Sequence, residues 1–384
     1  MKKPVLKAAA AAIIILSSTS CREESIIFPP EPNHVTDPAE KFSEIEGFYL
    51  LNEGNMGSNK STLDRFDYST GIYTRNIYGE ANPDVPKELG DVGNDLKIYG
   101  SRLYAVINCS NKIEVMDAKT TRRIGQIEIP NCRFIQFHGK YAYVTSYAGP
   151  VEIRPDYSQK GYVAKVDTAT LQVVDKCIVG YQPDELAITG GKIYVANSGG
   201  YMVPNYENTL SVIDLDSFVE EKRVEVALNL FRVRPDSKGR LWVSSRGDYY
   251  DNHSKLYCFN PKTEQIEKEF DVPVSAMDIV GDSIYIVSTS WSYQTMDNNV
   301  TNAIIDTRLM EKVCDNFITD GTEKSIKIPY GVKVNPLTKE VFVTDAGNYV
   351  NPGWLMCYSP EGIQKWKVRT GDIPAHFAFF GKPR

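Results

Sequence analysis

The sequence predicts an all-β fold, a seven-bladed β-propeller closed by its C-terminal strand joining the N-terminal blade. Three observations predict it. An aromatic-led apolar stretch running into a polar loop recurs seven times: YLLNEGNM from Tyr49, YAVINCSN from Tyr104, YVTSYAGP from Tyr143, YVANSGGY from Tyr194, WVSSRGDY from Trp242, YIVSTSWS from Tyr285 and FVTDAGNY from Phe342. Each copy sits among further strand-like segments at a regular interval. The two ends of the chain are complementary parts of one such unit, the one that holds the first copy.

Copies 39 to 57 residues apart point to a propeller or a solenoid. Upstream of each aromatic strand comes a short apolar segment and a turn, as in DELAITGGKIY and FRVRPDSKGRLW. Downstream comes an alternating strand that ends in Asp or Asn, as in IEVMDAKT, YVAKVDTAT and LSVIDLDS, and then a fourth strand such as LQVVDKCIVG. Period-2 alternation, β-branched and aromatic enrichment and turn residues every eight to twelve positions specify antiparallel β-structure. The Asp at the end of the third strand is expected to bond its own backbone and fix the turn. The repeat series begins at a second strand, Phe48 to Asn52, and the chain ends on IPAHFAFFG, which has the pattern of a first strand. Joining the two closes the ring and removes two sheet edges. A linear solenoid would instead need capping units.

The first twenty residues read as a targeting segment. Lys2, Lys3 and Lys7 form a basic start, Ala8 to Leu16 is apolar, and Ser18-Thr19-Ser20 leads into Cys21. The apolar run is too short to cross a bilayer, which takes about 20 residues, and the pattern is that of a secretory signal. A cysteine after small residues resembles a bacterial lipoprotein cleavage site, which implies a lipid on Cys21 as the membrane anchor. Residues 21–46 carry Pro29, Pro30, Pro32 and Pro38 without hydrophobic periodicity, and are expected to form a flexible tether. The propeller is expected over 47–384.

Losing the three lysines with the signal takes the formal charge from −6 to −9. A net-acidic domain without basic runs argues against nucleic acid. No G-x-S-x-G elbow, H-E-x-x-H helix or phosphate-binding loop is present. The six cysteines beyond Cys21 fit neither a zinc site nor a dense disulfide framework. A bridge between Cys109 and Cys132 is the one pairing that the expected loop placement allows.

In a four-stranded blade, the loop after the second strand and the loop before the first open on the same face. The tails of the aromatic strands should therefore gather on one rim around the channel, together with Asn94-Asp95, Arg133, Asp184, Phe231-Arg232, Met277, Tyr330 and His376. The opposite face receives plain connectors such as TGGK and NPLTKE. Three rim loops are long and rich in tyrosine and tryptophan: SGGYMVPNYENT, SRGDYYDNHSK and STSWSYQTMDNNVTN. Long loops that keep aromatics are more often functional than not.

The pattern PDELAITGGKIYVAN followed by VID resembles the YncE-type propeller repeat, over nearly all of residues 47–384. The leader, the acidic Glu23-Glu24 pair, GNDLKIYGSRLYAVI and DIPAHFAFF are similar to the surface lipoproteins of Bacteroidetes, and within them to the cobalamin-capturing BtuG family. The resemblance implies cell-surface exposure on the outer membrane. It also implies a corrinoid ligand (cobalamin or cobinamide), no required cofactor, and transfer to an outer-membrane TonB-dependent transporter.

A corrinoid is a broad, partly apolar ring edged with carboxamides. It calls for aromatic plates and for amide, carboxylate or guanidinium partners held rigidly, since ordering on binding costs affinity. Tyr147, Tyr201, Tyr249, Trp291, Tyr293 and Tyr349 are expected to pack on it, and Asn197, Arg246, Asp345 and Asn348 to hydrogen-bond it. Asp248, Tyr330 and His376 complete the candidate set. His376 is weighed both as a cobalt ligand and as a hydrogen-bonded channel residue. Two other functions remain open: a protein-docking scaffold without small ligand, and a calcium-dependent lactonase-type hydrolase with Glu53, Asn197, Asn229 and Asp345 as oxygen ligands.

Overall fold

A computed structural model describes residues 30–39, 44–86, 88–153, 156, 159–292 and 297–381, with side-chain surroundings undescribed at 290–299. The lipidation candidate Cys21 lies outside the described residues. Seven antiparallel sheets follow one another in a ring. Blades two to seven run in chain order, each meandering from an inner strand outward. Blade four, for example, comprises Pro183–Thr189, Lys192–Asn197, Thr209–Asp214 and Glu220–Glu225. Blade one is composite: Pro374–Gly381 supplies its inner strand and pairs antiparallel with Ile45–Asn52, as the two chain ends predict.

Each second strand is an uninterrupted apolar run because both its faces are covered. In Arg102–Ile107, Leu103, Ala105 and Ile107 pack toward blade one, while Tyr104 and Val106 pack toward blade three. Among the described residues, an apolar cluster fills each of the seven joints between neighbouring blades, and a smaller one, Ile328 with Ala346 and Ile373, adds to the joint of blades seven and one. The core is thus a ring of interfaces, and the hydrophobic term that stabilises a blade exists only while its neighbours stand beside it. The predicted third-strand turns form as well: Asp117 Oδ1 accepts the N–H of Lys119 and Thr120, and Asp167 Oδ1 those of Ala169 and Thr170.

Inner strands are stapled across three of the joints. Asp95 accepts the N–H of Ile135, Glu185 that of Val233, and Asp278 that of Val334, each from the next blade. Between blades five and six the inner strands approach least, and Arg234 bridges them through its bond to the Met277 carbonyl.

Two expectations need correction. The tether is not structureless throughout: Glu31–His34 pairs with Ile72–Arg75 as a fifth strand on the outer edge of blade one. Edge pairing uses backbone groups, so EPNH needs no hydrophobic alternation to do it. Cys109 and Cys132 are both free thiols. Cys132 is buried at the start of an inner strand, where its Sγ lies 3.3 Å from the Lys112 carbonyl oxygen, and Cys109 is exposed.

Candidate functional site

The rim loops are held to the ring by one repeated hydrogen bond. The first residue after the second strand donates its N–H to the carbonyl of the residue just before the inner strand: Glu53 to Ile373, Asn108 to Val92, Tyr147 to Asn131, Ser198 to Gln182, Arg246 to Asn229 and Ala346 to Ile328. Five of these acceptors (Val92, Asn131, Gln182, Asn229 and Ile373) have positive φ. The left-handed residue turns the chain into the channel, and for β-branched Val92 and Ile373 that conformation is costly. Three amides at this position also clamp the loop of their own blade: Asn131 donates to the Gly149 carbonyl, Asn229 to that of Gly247, and Gln182 accepts from the Tyr201 N–H. The mouth is therefore stiff by construction.

Two polar networks floor it. Asp184, fully buried on the inner strand of blade four, accepts hydrogen bonds from Tyr147 Oη at 2.8 Å, Arg246 Nη1 at 2.8 Å, and Arg133 Nε and Nη2 at 3.3 Å. Burial works to raise its pKa, but the Arg246 and Arg133 guanidiniums outweigh it and hold the carboxyl below its ordinary range. Across the channel, Glu53 accepts from Tyr330 Oη at 2.8 Å and lies 2.9 Å from His376 Nε2. Burial, followed by the Glu53 charge, pushes the Tyr330 phenol well above its ordinary value, so it stays a donor. Glu53, Tyr147 and Arg246 are equivalent positions of three blades, each the first residue beyond a second strand.

Above this floor lies a funnel of about 890 Å³ that opens between blades five and six. Arg133, Phe231, Arg232, Arg246, Tyr249, Ser254, Thr289, Tyr330, Tyr349 and His376 are among its lining residues. A second depression of about 1050 Å³ lies over blades two and three, reaches Tyr147 and Tyr201, and shares Arg133 with the first. Among the described residues, the tyrosines with the largest exposure stand on this rim: Tyr250 at 77 %, Tyr249 at 64 %, Tyr349 at 40 % and Tyr201 at 38 %. Two of them crown copies of one loop. In RGDY and AGNY, Gly247 and Gly347 have φ of 67° and 63°, and Tyr249 and Tyr349 follow at 67° and 62°. Asp248 and Asn348 fix both loops by accepting backbone N–H groups two to four residues on. A Cβ on Gly247 would fall 1.8 Å from the Asn252 carbonyl oxygen, so only glycine fits there. Left-handed tyrosines held by such turns are strained features of the kind that collect at binding sites.

The predicted site residues thus divide. Tyr201, Tyr249, Tyr349, Arg246, Tyr330 and His376 come to the two cavities. Tyr147 reaches the second as a buried residue whose hydroxyl is committed to Asp184, not as an open plate. Asn197 and Asp345 do not present their side chains. Asn197 donates to Thr209 and Ser211 and accepts from Gly180, and Asp345 accepts from the N–H groups of Lys327, Ile328 and Gly347. Both are strand-end residues that fix their own loops. Asp248 and Asn348 act as turn formers in the same way. His376 Nε2, the nitrogen weighed for cobalt, is taken by Glu53. Of the oxygens considered for calcium, those of Glu53 face Tyr330 and His376, Asn197 Oδ1 accepts the Gly180 N–H, and those of Asp345 accept the N–H groups of Lys327, Ile328 and Gly347, while Asn229 Oδ1 is buried without a partner among the described residues. The Trp291 backbone belongs to the strand Ser283–Ser292 while its side chain is undescribed, and Tyr293 lies outside the described residues. The floor residues Arg133, Asp184 and Arg232 were legible as rim positions; the pairing of Arg133 with Asp184 was not, because it joins blades.

A family model described as a domain of unknown function, DUF5074, matches residues 46–372. The chain belongs to the DUF5074 family. Comparison with curated proteins returns no match. Among solved structures, this DUF5074 chain is similar to a quinoprotein alcohol dehydrogenase-like protein from Bacteroides thetaiotaomicron. The TM-score is 0.58 at 14 % identity, covering 88 % of this chain and 79 % of that one. It is also similar to hydrazine synthase of Kuenenia stuttgartiensis, with a TM-score of 0.54 at 15 % identity over 70 % of this chain and 77 % of that one. At such identities the likeness carries the propeller fold alone.

Proposed function

We propose that this DUF5074 propeller is a surface lipoprotein, anchored through a lipid on Cys21, that captures a corrinoid at the funnel mouth and passes it to an outer-membrane TonB-dependent transporter. One observation carries the reading: exposed tyrosines stand over both adjoining depressions, Tyr249 and Tyr349 on the funnel and Tyr201 on its neighbour, above a stiff floor that is polar and already hydrogen-bonded. Ligand pockets commonly span about 300–1,000 Å³, and the two adjoining cavities together exceed that range, which suits a broad ring over a compact metabolite. Amphipathic tyrosines supply contact area with little side-chain entropy to lose. The scarcity of free catalytic groups at the floor favours binding without chemistry.

Calorimetric titration of the purified protein with cyanocobalamin and with cobinamide tests this. Heat with either is expected, and Tyr249→Ala is expected to weaken binding at least tenfold, about 1.4 kcal/mol. No heat with either corrinoid at tens of micromolar protein would discard the ligand.

A second reading, a protein-docking propeller without small ligand, draws on the apolar side chains that share the rim. Met56, Ile153, Val203 and Val350 are 80, 76, 40 and 63 % exposed. These side chains add apolar area to the rim that a docking partner would cover, although outer-strand residues such as Val174, Ile178 and Val313 are exposed as well. This reading predicts that Val350→Asp abolishes co-purification with a transporter while corrinoids give no heat at all.

A further inference from the structure

Arg232 on the inner strand of blade five is 7 % exposed, and among the described residues no carboxylate lies within 4.0 Å of its guanidinium. Its Nε is buried without a hydrogen-bond partner. The carboxylates around it are committed elsewhere: Glu185 to Arg234 and the Val233 N–H, Asp95 to the N–H groups of Leu96 and Ile135, and Asp184 to Tyr147, Arg133 and Arg246. A buried charge left unpaired is among the costliest arrangements a fold can keep. The side chain is nonetheless held in place. Its guanidinium carbon lies 4.0 Å from the Phe231 ring centroid and 5.2 Å from that of Phe134, while the residue lines the funnel.

A second group on the same cavity is also unsatisfied. Thr289 of blade six lines the funnel from the other side of the joint, and its Oγ1 is buried with no partner. Of the three arginines lining the funnel, Arg133 and Arg246 share the Asp184 carboxylate, which leaves Arg232 as the guanidinium there without a counter-ion among the described residues. A fixed planar guanidinium without a counter-ion, with a buried hydroxyl lining the same cavity, is a donor set that oxyanions take.

We propose that the funnel is an oxyanion site, in which Arg232, with Thr289 on the same cavity, binds a carboxylate or phosphate group carried by the ligand. The inference uses the same funnel as the corrinoid reading and goes beyond it, since it holds for any small molecule bearing such a group.

The test is the unfolding midpoint of the purified full-length protein, titrated with inorganic phosphate and separately with benzoate at an ionic strength held constant with chloride. A saturable rise with at least one anion is expected; phosphate alone or benzoate alone identifies the group. Arg232→Met is expected to abolish the rise, and Arg232→Lys to weaken the apparent affinity at least threefold, because a point charge replaces the fork. Absence of a saturable rise over chloride with either anion overturns the inference in the wild-type protein alone. A rise that persists in Arg232→Met overturns it equally. Anion protection without cyanocobalamin binding leaves this inference standing and removes the corrinoid. Cyanocobalamin binding that is equal in wild type and Arg232→Met, with no anion effect, does the reverse.

Discussion

Asp184 shows how much rests on a single side chain of the channel. It is one carboxylate shared by two guanidiniums and a phenol, drawn from blades three and five onto blade four. Asp184→Asn leaves Arg133 and Arg246 facing each other without a counter-charge, and breaking a buried pair in this way costs about 3–5 kcal/mol. Denaturant unfolding is expected to show that loss, while Tyr147→Phe, which removes one hydrogen bond to the same carboxylate, is expected to cost about 1 kcal/mol. Equal effects from the two variants would show that the ion pairs contribute nothing beyond a neutral contact. At this scale the sequence was least informative. Asn197, Asp345, Asp248 and Asn348 have the residue types of ligand contacts and the positions of loop formers, and only the hydrogen-bond partners separate the two roles.

Individual strands and turns were far more legible. The aspartates closing the third strands were expected to bind their own turns, and Asp117, Asp167 and Asp306 do so. In Asp167, the N–H groups of Thr170 and Ala169 lower the carboxyl below its ordinary 3.8, and backbone bonds lower Asp117 and Asp306 likewise. A depressed folded-state pKa contributes stability that is present above the unfolded value and is lost as pH falls through the folded one. Asp64, raised by burial, acts in the opposite sense, but the lowered group is larger and includes Asp184. The unfolding midpoint is therefore expected to drop as pH falls below about 4, and Asp167→Ala is expected to shrink that drop while lowering the midpoint at neutral pH. A midpoint that holds steady from pH 6 to pH 3 would contradict this account. Glu31–His34 was not legible as a strand because its pairing is made by backbone groups on an outer edge, without the apolar alternation by which the other strands announce themselves.

For the molecule as a whole, the seven apolar layers lie between blades, so no blade is stable alone. Pro374–Gly381 supplies an inner strand for blade one and places Ala378 in the layer shared with blade two. Its removal opens the ring and strips both adjoining layers. Truncation after Asp372 is expected to abolish cooperative unfolding by circular dichroism, whereas deletion through Pro38, which removes the outer-edge strand and Val35 but no strand of a four-stranded blade, is expected to leave it. Retained cooperativity after the C-terminal truncation would mean that the ring does not depend on head-to-tail closure.

By itself the sequence determined the repeat, the strand order within a blade, the closure by the last strand and the face on which the aromatic loops gather, because each follows from local periodicity and from which residues begin and end a strand. The tertiary structure decided which rim side chains are open and which are bound into the scaffold. It also decided that Asp184 and Glu53 anchor two opposed networks, and that the Arg232 charge stands beside the funnel without a partner among the described residues. Those outcomes depend on distances between blades far apart in the chain, which the alternation of a single strand does not encode.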